Sequence, residues 1–296
     1  MAGTPWAQAP ETDGKQRYLI ADVFTRTPLE GNALGVFLDG RDLDTGLMQR
    51  TARELNLSET VFFLPPEPAG AEGAEGADAK VRIFTPVAEL KFAGHPVLGS
   101  AFVLAEMLGK RSIVLETGLG LIPITIDSTD FGEMEQPLPR AEPYERADEL
   151  LDALDLTESE LPVEVYHNGP RHVYVALPTE EDVANFEPDM GRLAGHTVGI
   201  NCFAGQGKAW KTRVFVPYLG VPEDPATGSA AGPLAVHLAR HRKISPGEQI
   251  EISQGREIGR PSTLYARVEG TADNIEHVYV GGHAVIVARG EYRLHP

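Results

Sequence analysis

A single cysteine, Cys202, stands among 296 residues. One thiol forms no internal disulfide, builds no cysteine metal cluster, and excludes any mechanism that sets a thiol on each side of a carbon. Basic residues are also scarce. Lys and Arg number 26 against 43 Asp and Glu, and the resulting formal charge of −17 argues against phosphate backbones and anionic membranes as partners. A small anionic substrate stays open, because a few backbone N–H groups outweigh the global field locally. No run approaches the roughly 20 apolar residues of a membrane span. The opening MAGTPWAQAPETDGKQR has no apolar core and carries its basic residues only at its end, unlike a signal peptide or an anchor. Residues 1–16 therefore read as a disordered tail, and the protein as cytoplasmic, with neither nucleic acid nor membrane as partner. Nucleotide fingerprints are missing too: GLGLIP and GVPEDPATGS lack the glycine spacing and the lysine. Along the chain no histidine and carboxylate cluster shows metal-ligand spacing, so the expectation is no metal and no cofactor.

What the chain does have is strands. RYLIADVF, LGVFLD, ETVFFL, KVRIFTP, RSIVLET and LIPITID are rich in β-branched and aromatic residues, and the second half continues with VEVYHN, RHVYVALP, GINCFAG, TRVFVP, EQIEISQG, STLYARVEG, EHVYVGG and HAVIVARG. Few helices interrupt them. DTGLMQRTAREL offers Asp44 as a cap and sets Leu47, Thr51 and Leu55 on one face, the pattern of a helix lying on a surface. VLGSAFVLAEML is apolar nearly all round, which suits a helix enclosed by a sheet. The Pro, Gly and Glu-rich stretch 65–80 reads as a mobile hairpin loop.

Arg82-Ile-Phe-Thr-Pro86 and Arg213-Val-Phe-Val-Pro217 form a weak internal repeat, each followed by a loop, a glycine turn and a helix. The fold expected is α+β: two pseudo-symmetric lobes, each a curled, mostly antiparallel, barrel-like sheet around a central helix. Residues 17–130 with about 280–296 would form one lobe and 131–279 the other, with the active site in a cleft between them. The repeated turns, Gly94-His95 and Gly228-Ser229, would open the two central helices, where unpaired N–H groups favour an anion and glycine lets it come close. Taken singly, each is an ordinary tight turn. His95 could donate a proton or a hydrogen bond. Glu59, in NLSETVFF, would have its pKa raised if it points inward beside Phe62 or Phe63, which would poise it for proton transfer. Asp224, before the second turn, is a partner carboxylate or simply an Asp-Pro turn initiator. Ser229 lacks the strained elbow and any evident base, which counts against a nucleophile.

DVFTRTPLEGNALGVF, RELNLSETVFF, RIFTPVAELKFAGHPVLGSA, VPEDPATGSAAGPLAVHLARH and QGREIGRPS together resemble the phenazine-biosynthesis PhzF family, from about residue 17 to the end. The resemblance implies a diaminopimelate-epimerase-like fold, usually homodimeric, working without cofactor or metal on a small anionic cyclic amino acid. It implies that Glu59 shuttles a proton and that His95 and Asp224 are catalytic. Asn32, Gly94, Gly228 and Ser229 would bind substrate. The family's GNP reads GNA here, keeping Asn32 with Ala33 in place of proline, a departure expected to be tolerated. The implied chemistry is an isomerisation: a proton leaves C3 of a cyclohexadiene amino acid and the same face is reprotonated at C1, giving an enol that relaxes to an aminoketone. Rival readings are an isomerase or epimerase of this fold acting on another small cyclic amino acid, and a non-catalytic binding protein that keeps the fold. The two-cysteine epimerases are excluded by Cys202 standing alone.

Overall fold

A computed structural model describes residues 14–67 and 76–294. Most of the expected tail and the centre of the expected 65–80 loop lie outside the described residues. Their edges differ from expectation. Lys15 and Gln16 pair with Arg293 and Tyr292 in a strand, and Ala79 and Lys80 pair with Leu115 and Glu116. Backbone pairing overrides the polar composition at both places.

The chain divides into two compact units, residues 1–135 with 281–296, and residues 136–280. In the first, β1 (Lys15–Val23) runs antiparallel to β2 (Asn32–Phe37), and α1 (Thr45–Leu55) crosses over to β3 (Glu59–Leu64), parallel to β2. Then β4 (Ala79–Phe84) pairs antiparallel with β3 and with the short β5 (Glu89–Leu90), and after α2 (Gly94–Leu108) it pairs in parallel with β6 (Ser112–Thr117). β7 (Gly120–Ile126) and β8 (Gly132–Gln136) continue antiparallel, and the C-terminal β18 (Ala284–Arg293) returns onto β1.

The second unit follows the same order. β9 (Arg140–Pro143), then α3 (Ala147–Ala153), lead to β10 (Glu164–His167), which pairs antiparallel with β9 and with β11 (Arg171–Ala176). The short α4 (Glu180–Asn185) and α5 (Met190–Leu193) cross over to β12 (Gly199–Gln206), parallel to β11. β13 (Ala209–Val216) is antiparallel to β12 and β14 (Val221–Asp224), and after α6 (Gly228–Arg240) it is parallel to β15 (Ile250–Gln254). β16 (Ser262–Thr271) and β17 (Asn274–Gly282) complete it. The repeat read from two short strands is thus a repeat of topology: the fold is α+β, a mostly antiparallel curled sheet and one enclosed helix in each unit. The strands not foreseen are β5, β8, β9 and β14, with helices α3 to α5.

Each helix follows from its residues. Asp44 caps α1, its carboxylate accepting from Leu47 N at 2.7 Å. The helix buries Met48, Thr51 and Ala52, with Leu47 and Leu55 at the edge of that face, against Phe37, Phe62 and Phe84. Phe37 and Phe62 stack at 4.9 Å between centroids, and loss of one such ring typically costs about 3–5 kcal/mol. α2 buries ten of its residues, with Pro96 in the first turn, where a missing N–H costs nothing. α6 is buried on all sides up to Ala239 and carries Pro233 inside it. That proline cannot donate to the carbonyl four residues back, which belongs to Ser229. Side chains supply the partners instead: Asn168 Nδ2 donates to Ser229 O at 2.9 Å, Gln136 Nε2 to Gly228 O at 2.9 Å, and Tyr174 Oη to Ala230 O at 2.7 Å.

Candidate active site

In the first unit the chain turns sharply into β2 at Gly31, whose φ is +65°; a Cβ there would lie 2.3 Å from Val23 O, so only glycine fits. Phe24 and Leu29 also have positive φ, a strained conformation for bulky residues, and the carboxylate of buried Asp22 accepts from Leu29 N at 2.7 Å. This turn delivers Asn32, the first residue of β2, to His95, the second residue of α2. Asn32 Nδ2 is 3.2 Å from His95 Nδ1. An amide N–H only donates, so Nδ1 accepts and the neutral ring carries its proton on Nε2. Nε2 in turn lies 3.4 Å from Oε2 of Glu59, the first residue of β3. His95 is fully enclosed, and burial pushes its imidazole down to about 3. It is therefore neutral at physiological pH and no proton carrier; its Nε2–H faces Glu59 Oε2 without a formed hydrogen bond between them. Strand alternation puts Glu59 on the face of Val61 and Phe63; Phe62 points the other way, into the cluster under α1.

In the second unit Asp224 ends β14 and is almost buried. Its Oδ2 accepts from Thr227 Oγ1 at 2.6 Å, and Gln254 Nε2 donates to Asp224 O at 2.8 Å while Gln254 Oε1 accepts from Thr227 N at 3.0 Å. One amide therefore ties both ends of the EDPATGS loop. The loop leads into Gly228 and Ser229, the first two residues of α6, and Thr227 makes no side-chain cap there. Ala93 makes none for α2. Ser229 Oγ lies 3.1 Å from His172 Nε2. Burial lowers the His172 imidazole to about 4, and its Nδ1 has no hydrogen-bond partner. Without a group to orient that ring the pair lacks the third member of a nucleophilic triad, so it reads as a clamp on the Ser229 hydroxyl.

Asn32, Glu59, Gly94 and His95 thus come together in the first unit, and Asp224, Gly228 and Ser229 in the second. The sequence reading missed His172, Gln136 and Gln254, which reach the second glycine turn from distant strands, and Asn168, which reaches it from the turn after β10. The signal for two of them was Pro233: a proline in a helix frees carbonyls that polar side chains must then satisfy. It also missed a histidine and carboxylate cluster. Glu164, His237 and His241 bring one ligand atom each within 4.8 Å of the others. His237 and His241, spaced i, i+4 on a helix, were the legible half of it.

Cys202 is completely buried, and burial raises its thiol well above the usual range, so it takes no part in thiolate chemistry. Among the described residues no helix is long and apolar enough to cross a membrane.

The chain is 50% identical over 278 residues to trans-2,3-dihydro-3-hydroxyanthranilate isomerase of Pseudomonas chlororaphis, covering 92% of this chain and 98% of that protein. Among solved structures it resembles a Bacillus anthracis phenazine biosynthesis protein of the PhzF family, with a TM-score of 0.80 at 25% identity over 94% of this chain and 99% of that one. A hydroxyproline epimerase from Agrobacterium vitis shares the fold alone, with a TM-score of 0.61 at 11% identity over 95% of this chain and 93% of that one. Residues 21–290 match the phenazine biosynthesis-like (PhzC-PhzF) family, and the chain belongs to that family.

Proposed function

We propose that the protein is an isomerase that converts trans-2,3-dihydro-3-hydroxyanthranilate to an aminoketone by moving a proton from C3 to C1. The observation that carries this reading is Glu59 against a neutral, oriented His95. An allylic C–H is a weak acid. Its removal asks for a base that is held close, shielded from water, and able to return the proton. Glu59 takes the proton from C3, the electron pair shifts along the diene, and the same carboxyl protonates C1 on the same face. The product enol then becomes the ketone. Atoms and electrons balance with no redox step. His95 Nε2–H steadies the glutamate carboxylate between the two transfers.

The second repeat supports a single proton carrier. Glu59 begins β3 and pairs with Leu34 of the parallel β2; Gly199 begins β12 and pairs with His172 of the parallel β11. Where the first repeat has a carboxylate, the second has no side chain, which suits transfer on one face and not inversion between two bases. Asp224 is taken as a further candidate catalytic carboxylate, and Asn32, Gly94, Gly228 and Ser229 as candidates for binding the substrate's polar groups. We further read the enzyme as a cytoplasmic homodimer, which light scattering on the purified protein would test. The function itself is tested by incubating the purified chain with trans-2,3-dihydro-3-hydroxyanthranilate in D₂O and following C1 and C3 by NMR. Substrate that remains unchanged would rule the reading out.

A further inference from the structure

Apart from the residues assigned to the reaction, Glu164 of β10 meets the last turns of α6. Its Oε2 lies 3.1 Å from His237 Nδ1, 3.1 Å from His241 Nε2, 3.0 Å from Arg240 Nη1 and 2.9 Å from Tyr166 Oη. Four potential donors crowd one carboxylate oxygen that has two lone pairs. Tyr166 Oη is itself 3.2 Å from His237 Nδ1 and 2.5 Å from Arg240 Nη1. Not all of these contacts can be good hydrogen bonds at once.

The same positions fit a cation. His237 and His241 stand one turn apart on one face of α6. Each nitrogen is 3.1 Å from the shared oxygen, near the roughly 3.3 Å edge of a tetrahedron with metal bonds of about 2.0–2.1 Å. His237 is fully buried and packs against the rings of Tyr166, Tyr174 and Phe203, with centroids 5.6, 5.7 and 5.7 Å away, an apolar wall that fixes the imidazole. Arg240 opposes a cation. However, it is the last residue of α6 and its side chain is 37% exposed, so it can leave the carboxylate for solvent.

We propose that Glu164, His237 Nδ1 and His241 Nε2 form a divalent transition-metal site, with zinc the best fit and the Tyr166 hydroxyl or a water completing a tetrahedron, and that Arg240 is the counter-ion the metal displaces. The donor set of two imidazoles and a carboxylate suits zinc and the neighbouring late first-row ions rather than calcium or magnesium. The role is structural: the ion would tie β10 to the end of α6, leaving turnover untouched.

The test uses the full chain stripped with EDTA and dialysed. Titration with ZnCl₂ in a calorimeter should give one site per chain, with a matching rise in thermal midpoint. Glu164→Gln and His241→Ala should each weaken it at least about tenfold, whereas Arg240→Gln should tighten it and leave isomerase turnover unchanged. Co²⁺ bound to the wild-type chain should show the intense visible bands of a tetrahedral ion, a readout that does not depend on any variant folding. Absence of stoichiometric zinc binding, wild-type affinity in both ligand variants, or a weak octahedral-type cobalt spectrum would overturn the proposal.

Discussion

His95 Nε2 faces Glu59 Oε2 at 3.4 Å while the other ring nitrogen is held by Asn32 at 3.2 Å, so one amide sets which nitrogen turns its proton toward the carboxylate. If Glu59 carries the proton, Glu59→Gln keeps the shape and loses the chemistry. Turnover should fall about 10²- to 10⁴-fold, the usual worth of general acid-base catalysis, with thermal midpoint and substrate affinity nearly unchanged. Near-normal turnover in this variant would remove Glu59 from the mechanism.

Asn32→Asp probes the orientation itself. A carboxylate at that place accepts from Nδ1–H and turns the tautomer round, so Nε2 presents a lone pair to Glu59 where it had presented a proton. The expected result is a kcat lowered at least about tenfold with a small change in KM, because the isosteric side chain leaves packing intact. Unchanged kcat would mean that the tautomer of His95 is irrelevant.

Buried histidines also fix the acid limit of the fold. His95 and His172 are pushed down to about 3 and about 4, and His196 and His237 are lowered in the same direction, each chiefly by burial. Between about pH 6.5 and 4 the unfolded chain binds protons at the rings of His95 and His172 that the native state refuses, so stability rises with pH and is lost as pH falls through that window. Each of those two histidines contributes up to about 1.4 kcal/mol per pH unit there. Urea midpoints should therefore decline steadily from pH 7 to 4.5, and His172→Gln should flatten the slope. A midpoint constant over that range would contradict the burial of these rings in the native state.

The strands were the legible part of the fold because their residues make the pattern: ETVFFL and KVRIFT are β-branched and aromatic, and α1 announced itself through Asp44. Short elements had no such voice. β5 is two residues long, and β9 reads RAEP with every residue exposed, so pairing alone makes them strands. α4 and α5 were marked only by their caps, Thr179 accepting from Asp182 N and Asp189 accepting from Gly191 N and Arg192 N. Within the candidate site, Glu59 and His95 were readable since each stands beside a turn signal. Gln254 and Asn168 were not, because their partners are backbone groups far along the chain and an amide in a strand or loop looks the same whether it points to solvent or to a carbonyl. The direction of His95 depends on Asn32, which no local pattern encodes.

Metal removal should separate the reaction from the Glu164 cluster. None of Asn32, Glu59, His95, Asp224 and Ser229 belongs to that donor set, so EDTA treatment and dialysis should leave turnover at saturating substrate unchanged even where zinc raises the thermal midpoint. Activity that disappears with chelator and returns with a divalent ion would place a metal in the chemistry and refute the proton-transfer scheme given above.

Gly199 stands in the second repeat where Glu59 stands in the first, and its lack of a side chain is occupied space. A Cβ there would lie 2.4 Å from His172 Nδ1 and 2.9 Å from its Cε1, closer than atoms pack. Gly199→Ala must therefore push the ring away, and the same ring holds Ser229 Oγ through Nε2 at 3.1 Å. Overpacking of this kind typically costs about 1–3 kcal/mol, which the thermal midpoint would register. The functional effect should run through Ser229: KM rises while kcat changes less, because a binding hydroxyl has lost its clamp and the Glu59 and His95 pair has not been touched. Ser229→Ala should raise KM as well, and the double variant should be no worse than the poorer single one, as expected when two changes remove one interaction. Additive losses, or a Gly199→Ala protein with normal KM, would mean that His172 and Ser229 touch without acting together.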